Sequence, residues 1–83
     1  MRIEIRYFAW LRERLGTGHE TLETGAETLA DLVDELKRRD EGYAHVFADM
    51  GAIRAAVDQE LRPLDAPLGA AREVAFFPPM TGG

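Results

Sequence analysis

The chain has 83 residues, 46% of them hydrophobic and 30% charged, the make-up of one globular domain with no room for a second core. A formal net charge of −5 repels a phosphate backbone and sets nucleic acid aside as a partner, and the lack of any cysteine removes disulfides, thiolate metal sites and cysteine nucleophiles together. No apolar run approaches membrane-spanning length and the first residues interleave charge with apolar side chains, unlike a secretory signal, so a cytoplasmic protein with no membrane partner is expected.

Residues 2–8 alternate, with Ile3, Ile5 and Tyr7 on one face and Glu4, Arg6 and Phe8 on the other, which predicts a half-buried strand. From Trp10 to Leu15 the spacing becomes helical, with Leu11 and Leu15 four apart, and Gly16-Thr17-Gly18 breaks it. His19 to Thr24 predicts a short strand at a sheet edge, with Leu22 inward. Thr28 opens the clearest helix: Thr28-Leu29-Ala30-Asp31 resembles a capping box with Asp in place of Glu or Gln, and Leu29, Leu32, Val33 and Leu36 recur at helical spacing. Asp31, Asp34 and Glu35 near its start and Lys37, Arg38 and Arg39 at its end suit the helix dipole. Gly42 is the expected exit, followed by a connecting turn in which Tyr43, Val46 and Phe47 pack on the core.

After Gly51, alternation returns, with Ile53, Ala55 and Val57 inward and Arg54, Ala56 and Asp58 outward. Leu61 to Leu64 predicts a short return strand broken by Pro63, Pro67 and Gly69 mark a loop, and Glu73 to Phe77 form the last strand with Val74 and Phe76 inward. Two strands, one helix and two or three further strands make an α+β fold in which the helix covers one face of a mixed sheet. Phe8 and Phe77 fall in the outward phase of the first and last strands. If those strands are neighbours, the rings form either an exposed docking patch or a surface covered by the Trp10 segment.

The last strand runs into Pro78-Pro79-Met80-Thr81-Gly82-Gly83. Proline cannot continue a ladder and stiffens the exit, so a projecting tail is expected. Gly82 and Gly83 carry no Cβ, and a narrow channel in a partner would admit them and reach the terminal carboxyl. A carboxylate is a poor electrophile and acts only after conversion to a mixed anhydride with AMP. Attack by a sulfur nucleophile then leaves a thiocarboxylate, with no internal thiol to intercept it.

The segments REVAFFPPMTGG (72–83), RIEIRYFAWLRERLG (2–16) and AAVDQELRPLDAPL (55–68) together resemble the small subunit of molybdopterin synthase, a sulfur carrier of molybdenum cofactor synthesis, over essentially the whole chain. The most specific piece is a strand ending in Phe-Phe-Pro-Pro, two further residues and Gly-Gly. The resemblance implies a ubiquitin-like β-grasp fold, a mixed sheet of four to five strands with one main helix across one face and the first and last strands parallel at its centre. It implies a domain over residues 1–77 and an extended tail over 78–83. Gly83 would be adenylated by a ubiquitin-activating-type adenylyltransferase that consumes ATP, then converted to a thiocarboxylate by a sulfurtransferase donor. Pro78, Pro79, Met80, Thr81 and Gly82 would form the arm inserted into the large synthase subunit, in a heterotetramer of two small and two large chains, where sulfur passes to cyclic pyranopterin monophosphate. Phe8, Leu61 and Phe77 match the family's apolar partner contacts, which favours the docking patch. No cofactor or metal is expected on the chain, and no catalysis by it alone. Asp58, Arg72 and Met80 depart from the family's common Asn, Asp and Val, which touches the turn before the last strand and partner pairing.

Three rivals stand beside this. A carrier for thiamin thiazole, tungsten cofactor or cysteine synthesis shares the fold and the tail, although Phe-Phe-Pro-Pro speaks for the molybdopterin branch. A protein modifier would join Gly83 to lysines of other proteins, and a plain interaction domain would not need the glycines. An enzyme finds little support: His19 and His45 lack metal-ligand spacing, Asp31, Asp34 and Glu35 read as solvated dipole partners, and Gly16 and Gly18 lack the Gly-Lys-Ser/Thr of a phosphate loop. Trp10 is expected to cover the sheet partly buried, and Lys37, the only lysine, to serve the helix end.

Overall fold

A computed structural model describes residues 1–79. The chain runs β1 (Arg2–Tyr7), α1 (Trp10–Leu15), β2 (His19–Glu23), α2 (Leu29–Arg39), α3 (Glu41–Val46), a 3-10 turn (Met50–Ala52), β3 (Arg54–Val57), β4 (Glu60–Arg62) and β5 (Glu73–Phe77). The five strands form one sheet in the order β2-β1-β5-β3-β4. Its centre is the parallel pair of β1 and β5, with Ile5 opposite Val74 and Tyr7 opposite Phe76; the other pairings are antiparallel.

Alternation decides which side chains meet. Ile3, Ile5, Tyr7, Ala55, Val57, Val74 and Phe76 point to one face and are buried there with Leu29, Leu32, Val33 and Leu36 of α2. Each large aliphatic or aromatic group buried this way contributes about 1.5–3 kcal/mol. Phe76 lies at the middle, edge-on to Phe47 at 5.0 Å between ring centroids and stacked on Tyr7 at 6.1 Å. The expected capping box is present: Asp31 N–H donates to Thr28 Oγ1 at 3.1 Å, and Thr28 N–H donates to Asp31 Oδ2 at 3.3 Å.

The segment after α2 differs from expectation. Asp40, not Gly42, ends the helix by turning extended, and its Oδ1 accepts from Gly42 N–H at 2.6 Å to start α3. Gly42, Tyr43 and Val46 therefore sit inside a helix of 6 residues, too short for a helical period to show in the sequence. The return strand β4 stops at Arg62, because Pro63 has no N–H for the ladder. Asp58 and Gln59 have φ of 49° and 71° and join β3 to β4 as a two-residue loop, since Val57 pairs directly with Glu60; both central residues of such a primed turn need positive φ.

Candidate functional site

The face of the sheet away from α2 carries the outward residues of every strand. One row crosses it from Leu61 through Ala56, Ala75 and Arg6 to His19, each opposite the next in register. The two alanines leave a low floor. A groove of about 340 Å³ follows from it, lined by Arg6, Phe8, Gln59, Glu73 and Ala75.

Phe8 stands at one end of this groove. Its N–H donates to the Phe76 carbonyl at 3.1 Å, so the ladder continues one residue beyond β1. Its own carbonyl accepts from Leu11 N–H at 3.2 Å across the turn at Ala9, where φ is 53°. Phe8 is 44% exposed, and Leu61 across the face is 67% exposed. Phe77 closes β5 in the same outward phase and is half-buried. The structure thus brings Phe8, Leu61 and Phe77 onto one face of one sheet, an apolar surface of the kind that a partner covers.

Pro78 and Pro79 follow Phe77 directly, outside any strand and partly buried. Met80, Thr81, Gly82 and Gly83 lie outside the described residues, as does most of the expected tail. The chain therefore leaves the sheet from its central strand pair, at the margin of the apolar surface.

The other singled-out groups have structural roles. His19 Nε2 and Glu4 Oε1 are 2.6 Å apart on the outer face, Asp31 is committed to the capping box, and Glu35 accepts from the Thr24 hydroxyl. His45 is exposed on α3, and Trp10 is half-buried against the core with the Arg14 guanidinium 4.9 Å from its ring centroid. Among the described residues no three His, Cys, Asp or Glu side chains cluster to hold a metal ion, and no helix is long and apolar enough to cross a membrane.

Sequence reasoning missed a polar network on the core side of β2. Glu20 Oε2 accepts from the hydroxyls of Tyr7 at 2.8 Å and Tyr43 at 2.7 Å, while Oε1 accepts from Arg39 Nη1 at 3.1 Å. Burial alone would raise the Glu20 pKa, but the hydrogen bonds from Tyr43, Tyr7 and Arg39, with the guanidinium charge, outweigh it and hold the carboxyl below its usual range. Burial first, and then the Glu20 carboxylate, pushes the Tyr43 hydroxyl up to about 12 and raises Tyr7 further. The available signal was Glu20 sharing the inward phase of Leu22. With no buried side-chain polar atom left unpartnered among the described residues, this is a brace between sheet edge and helices.

A mixed sheet with a parallel central pair, one long helix across it and a chain end leaving from the central strand defines a ubiquitin-like β-grasp protein. The chain belongs to the ThiS family, which it matches over residues 5–83. It is 37% identical over 81 residues to the molybdopterin synthase sulfur carrier subunit of Escherichia coli (strain K12), covering 98% of this chain and 99% of that one. It is 31% identical over 81 residues to the protein of the same name from Haemophilus influenzae, again covering 98% and 99%. Among solved structures, SAMP1 from Haloferax volcanii superposes with a TM-score of 0.77 at 28% identity, covering 100% of both chains.

Proposed function

We propose that this chain is the sulfur-carrying small subunit of a molybdopterin synthase, and that Gly83 is its working group. The Gly83 carboxylate attacks the α-phosphorus of ATP on an adenylyltransferase, releasing pyrophosphate. The outer sulfur of a sulfurtransferase persulfide then displaces AMP to give an acyl disulfide, and a second thiol attacks the sulfurtransferase sulfur of that bond, forming a disulfide and releasing the thiocarboxylate. Docked on the large synthase subunit through Phe8, Leu61 and Phe77, the chain inserts Pro78, Pro79, Met80, Thr81 and Gly82 as an arm. It gives its sulfur to cyclic pyranopterin monophosphate, two such deliveries making the dithiolene. ATP is consumed by the activating partner, and the chain itself holds no cofactor.

The single supporting observation is the placement of an apolar face beside Phe77, the last residue of a strand that continues in sequence as Pro-Pro-Met-Thr-Gly-Gly. The names of the curated relatives agree with it. A second assignment, a protein modifier joined through Gly83 to lysines, draws on the likeness to a Haloferax volcanii structure named small archaeal modifier protein 1, 26% identical with a TM-score of 0.73.

Intact mass spectrometry separates them. The chain is incubated with ATP, the activating enzyme and a sulfur donor, and the carrier gains the mass of an oxygen-to-sulfur exchange at its C-terminus. A chain lacking Gly82 and Gly83 gains nothing. Isopeptide-linked adducts without any thiocarboxylate, or full molybdopterin output from the truncated chain, would overturn the proposal.

A further inference from the structure

The charges on the outer face are unevenly answered. Arg6 meets Glu73 at 3.0 Å, His19 meets Glu4 at 2.6 Å and Arg2 comes within 4.0 Å of Glu23. Arg54 is the remaining strand cation on this face, and among the described residues it has no carboxylate within 4.0 Å. Acidic residues outnumber basic ones by 15 to 10 in this chain, so an unanswered arginine is not a shortage of carboxylates.

Its position gives it meaning. Arg54 opens β3 directly opposite Phe77, at the point where β5 hands over to Pro78. Its Nη1 donates to the carbonyls of Gly51 at 3.3 Å and Ile53 at 3.1 Å. Two neutral acceptors fix the head group without cancelling its charge, and Nε and Nη2 have no acceptor among the described residues. A guanidinium held still at the edge of an apolar surface loses little freedom when a planar carboxylate arrives.

We infer that the protein covering this face sets a carboxylate against Arg54, so that Phe8, Phe77 and Leu61 supply the apolar contact and Arg54 selects the partner by charge. This rests on the proposed docking to a large synthase subunit, and it adds the chemistry that subunit must present: an apolar centre with an acidic group beside the channel that admits the tail.

The test titrates the large synthase subunit of the same organism with the full chain, carrying either Arg54 or the variants Arg54→Lys, Arg54→Gln, Arg54→Ala and Arg54→Glu. Gln and Ala are expected to weaken binding about tenfold and Glu about a hundredfold, with Lys between Arg and Gln. Binding of the unaltered chain falls more steeply with salt than that of Arg54→Gln. Replacing the facing carboxylate of the large subunit by lysine restores affinity to Arg54→Glu. Because Arg54 is exposed, the variants melt close to the unaltered chain, and Arg54→Gln removes the charge while keeping a donor for the carbonyls. Affinity of both Arg54→Glu and Arg54→Gln within about twofold of the unaltered chain, with no difference in salt dependence, overturns the charge inference alone. Failure of the unaltered chain to bind overturns the docking proposal and this inference with it.

Discussion

Asp58 and Glu73 bind each other twice, the Asp58 N–H donating to the Glu73 carbonyl at 2.9 Å and Asp58 Oδ1 accepting from the Glu73 N–H at 3.0 Å. The same Oδ1 accepts from Arg72 N–H at 2.9 Å, so the β3–β4 loop is tied to the first residue of the strand that launches the tail. One side-chain oxygen accepts from both N–H groups, so an Asn amide oxygen could serve as well as the Asp carboxylate. Asp58→Asn is expected to change stability by less than about 0.5 kcal/mol. Asp58→Ala, which strands two N–H donors and keeps a positive φ without a polar side chain, should cost about 1–3 kcal/mol. Urea denaturation of the three proteins measures the difference, and equal losses for Asn and Ala would contradict it.

The Glu20 network makes stability depend on pH at both ends. Glu20 has a lowered folded pKa, so its contribution is complete above the unfolded value of about 4.3 and is lost as pH falls through the folded one. Tyr43 is raised to about 12, so its contribution is complete below the unfolded value of about 10 and disappears as pH climbs through the folded one. Glu20→Gln should flatten the acid limb of a melting-temperature profile and lower stability at neutral pH by about 1–2 kcal/mol, partial exposure limiting the loss. Tyr43→Phe should flatten the alkaline limb. Profiles that overlay the unaltered protein at both ends would remove the brace.

Thr28→Ala removes the oxygen that accepts from Asp31 N–H and should destabilise the domain by about 1 kcal/mol. Asp31→Ala removes the reciprocal acceptor for Thr28 N–H and should cost less, because that bond is the longer of the two. Thermal or urea unfolding ranks the two, and the reverse order would show that the Asp31 charge at the helix start outweighs the cap.

Most of this fold is written in periodicity. Ile3, Ile5, Tyr7, Ile53, Ala55, Val57, Val74 and Phe76 were assignable to the core because each strand has one buried face, and all are buried. Leu29, Leu32, Val33 and Leu36 were assignable because a helix of 11 residues spans about three turns of the pattern. The helix after α2 was not legible, since its start is set by a hydrogen bond that Gly42 N–H donates to Asp40 Oδ1, which looks in sequence like any Asp-x-Gly turn. On the outer face, phase placed Phe8 and Phe77 together but carried no word of the alanine floor between Leu61 and Arg6, which depends on strand order. Glu20 was hidden for a related reason: the tyrosines that bond to it stand 13 and 23 residues away.

Leu61 and Gly83 should separate docking from chemistry. Leu61 is largely exposed and buries little on folding, so Leu61→Asp should leave stability within about 0.5 kcal/mol of the unaltered chain. Covering that side chain in a complex contributes about 1.5–3 kcal/mol, and a carboxylate in its place adds a desolvation cost, so binding to the large subunit should fall about a hundredfold. Gly83→Ala leaves the apolar face untouched and, on the proposed role of the tail, should bind with near-normal affinity while sulfur transfer drops sharply, because a methyl would crowd any site that fits bare backbone. The pair makes a double dissociation: one variant loses binding in a titration and regains output at high concentration of the large subunit, while the other binds and stays inactive at any concentration. Molybdopterin output near normal from Gly83→Ala, or unchanged affinity for Leu61→Asp, would contradict the assigned roles of the tail and the face respectively.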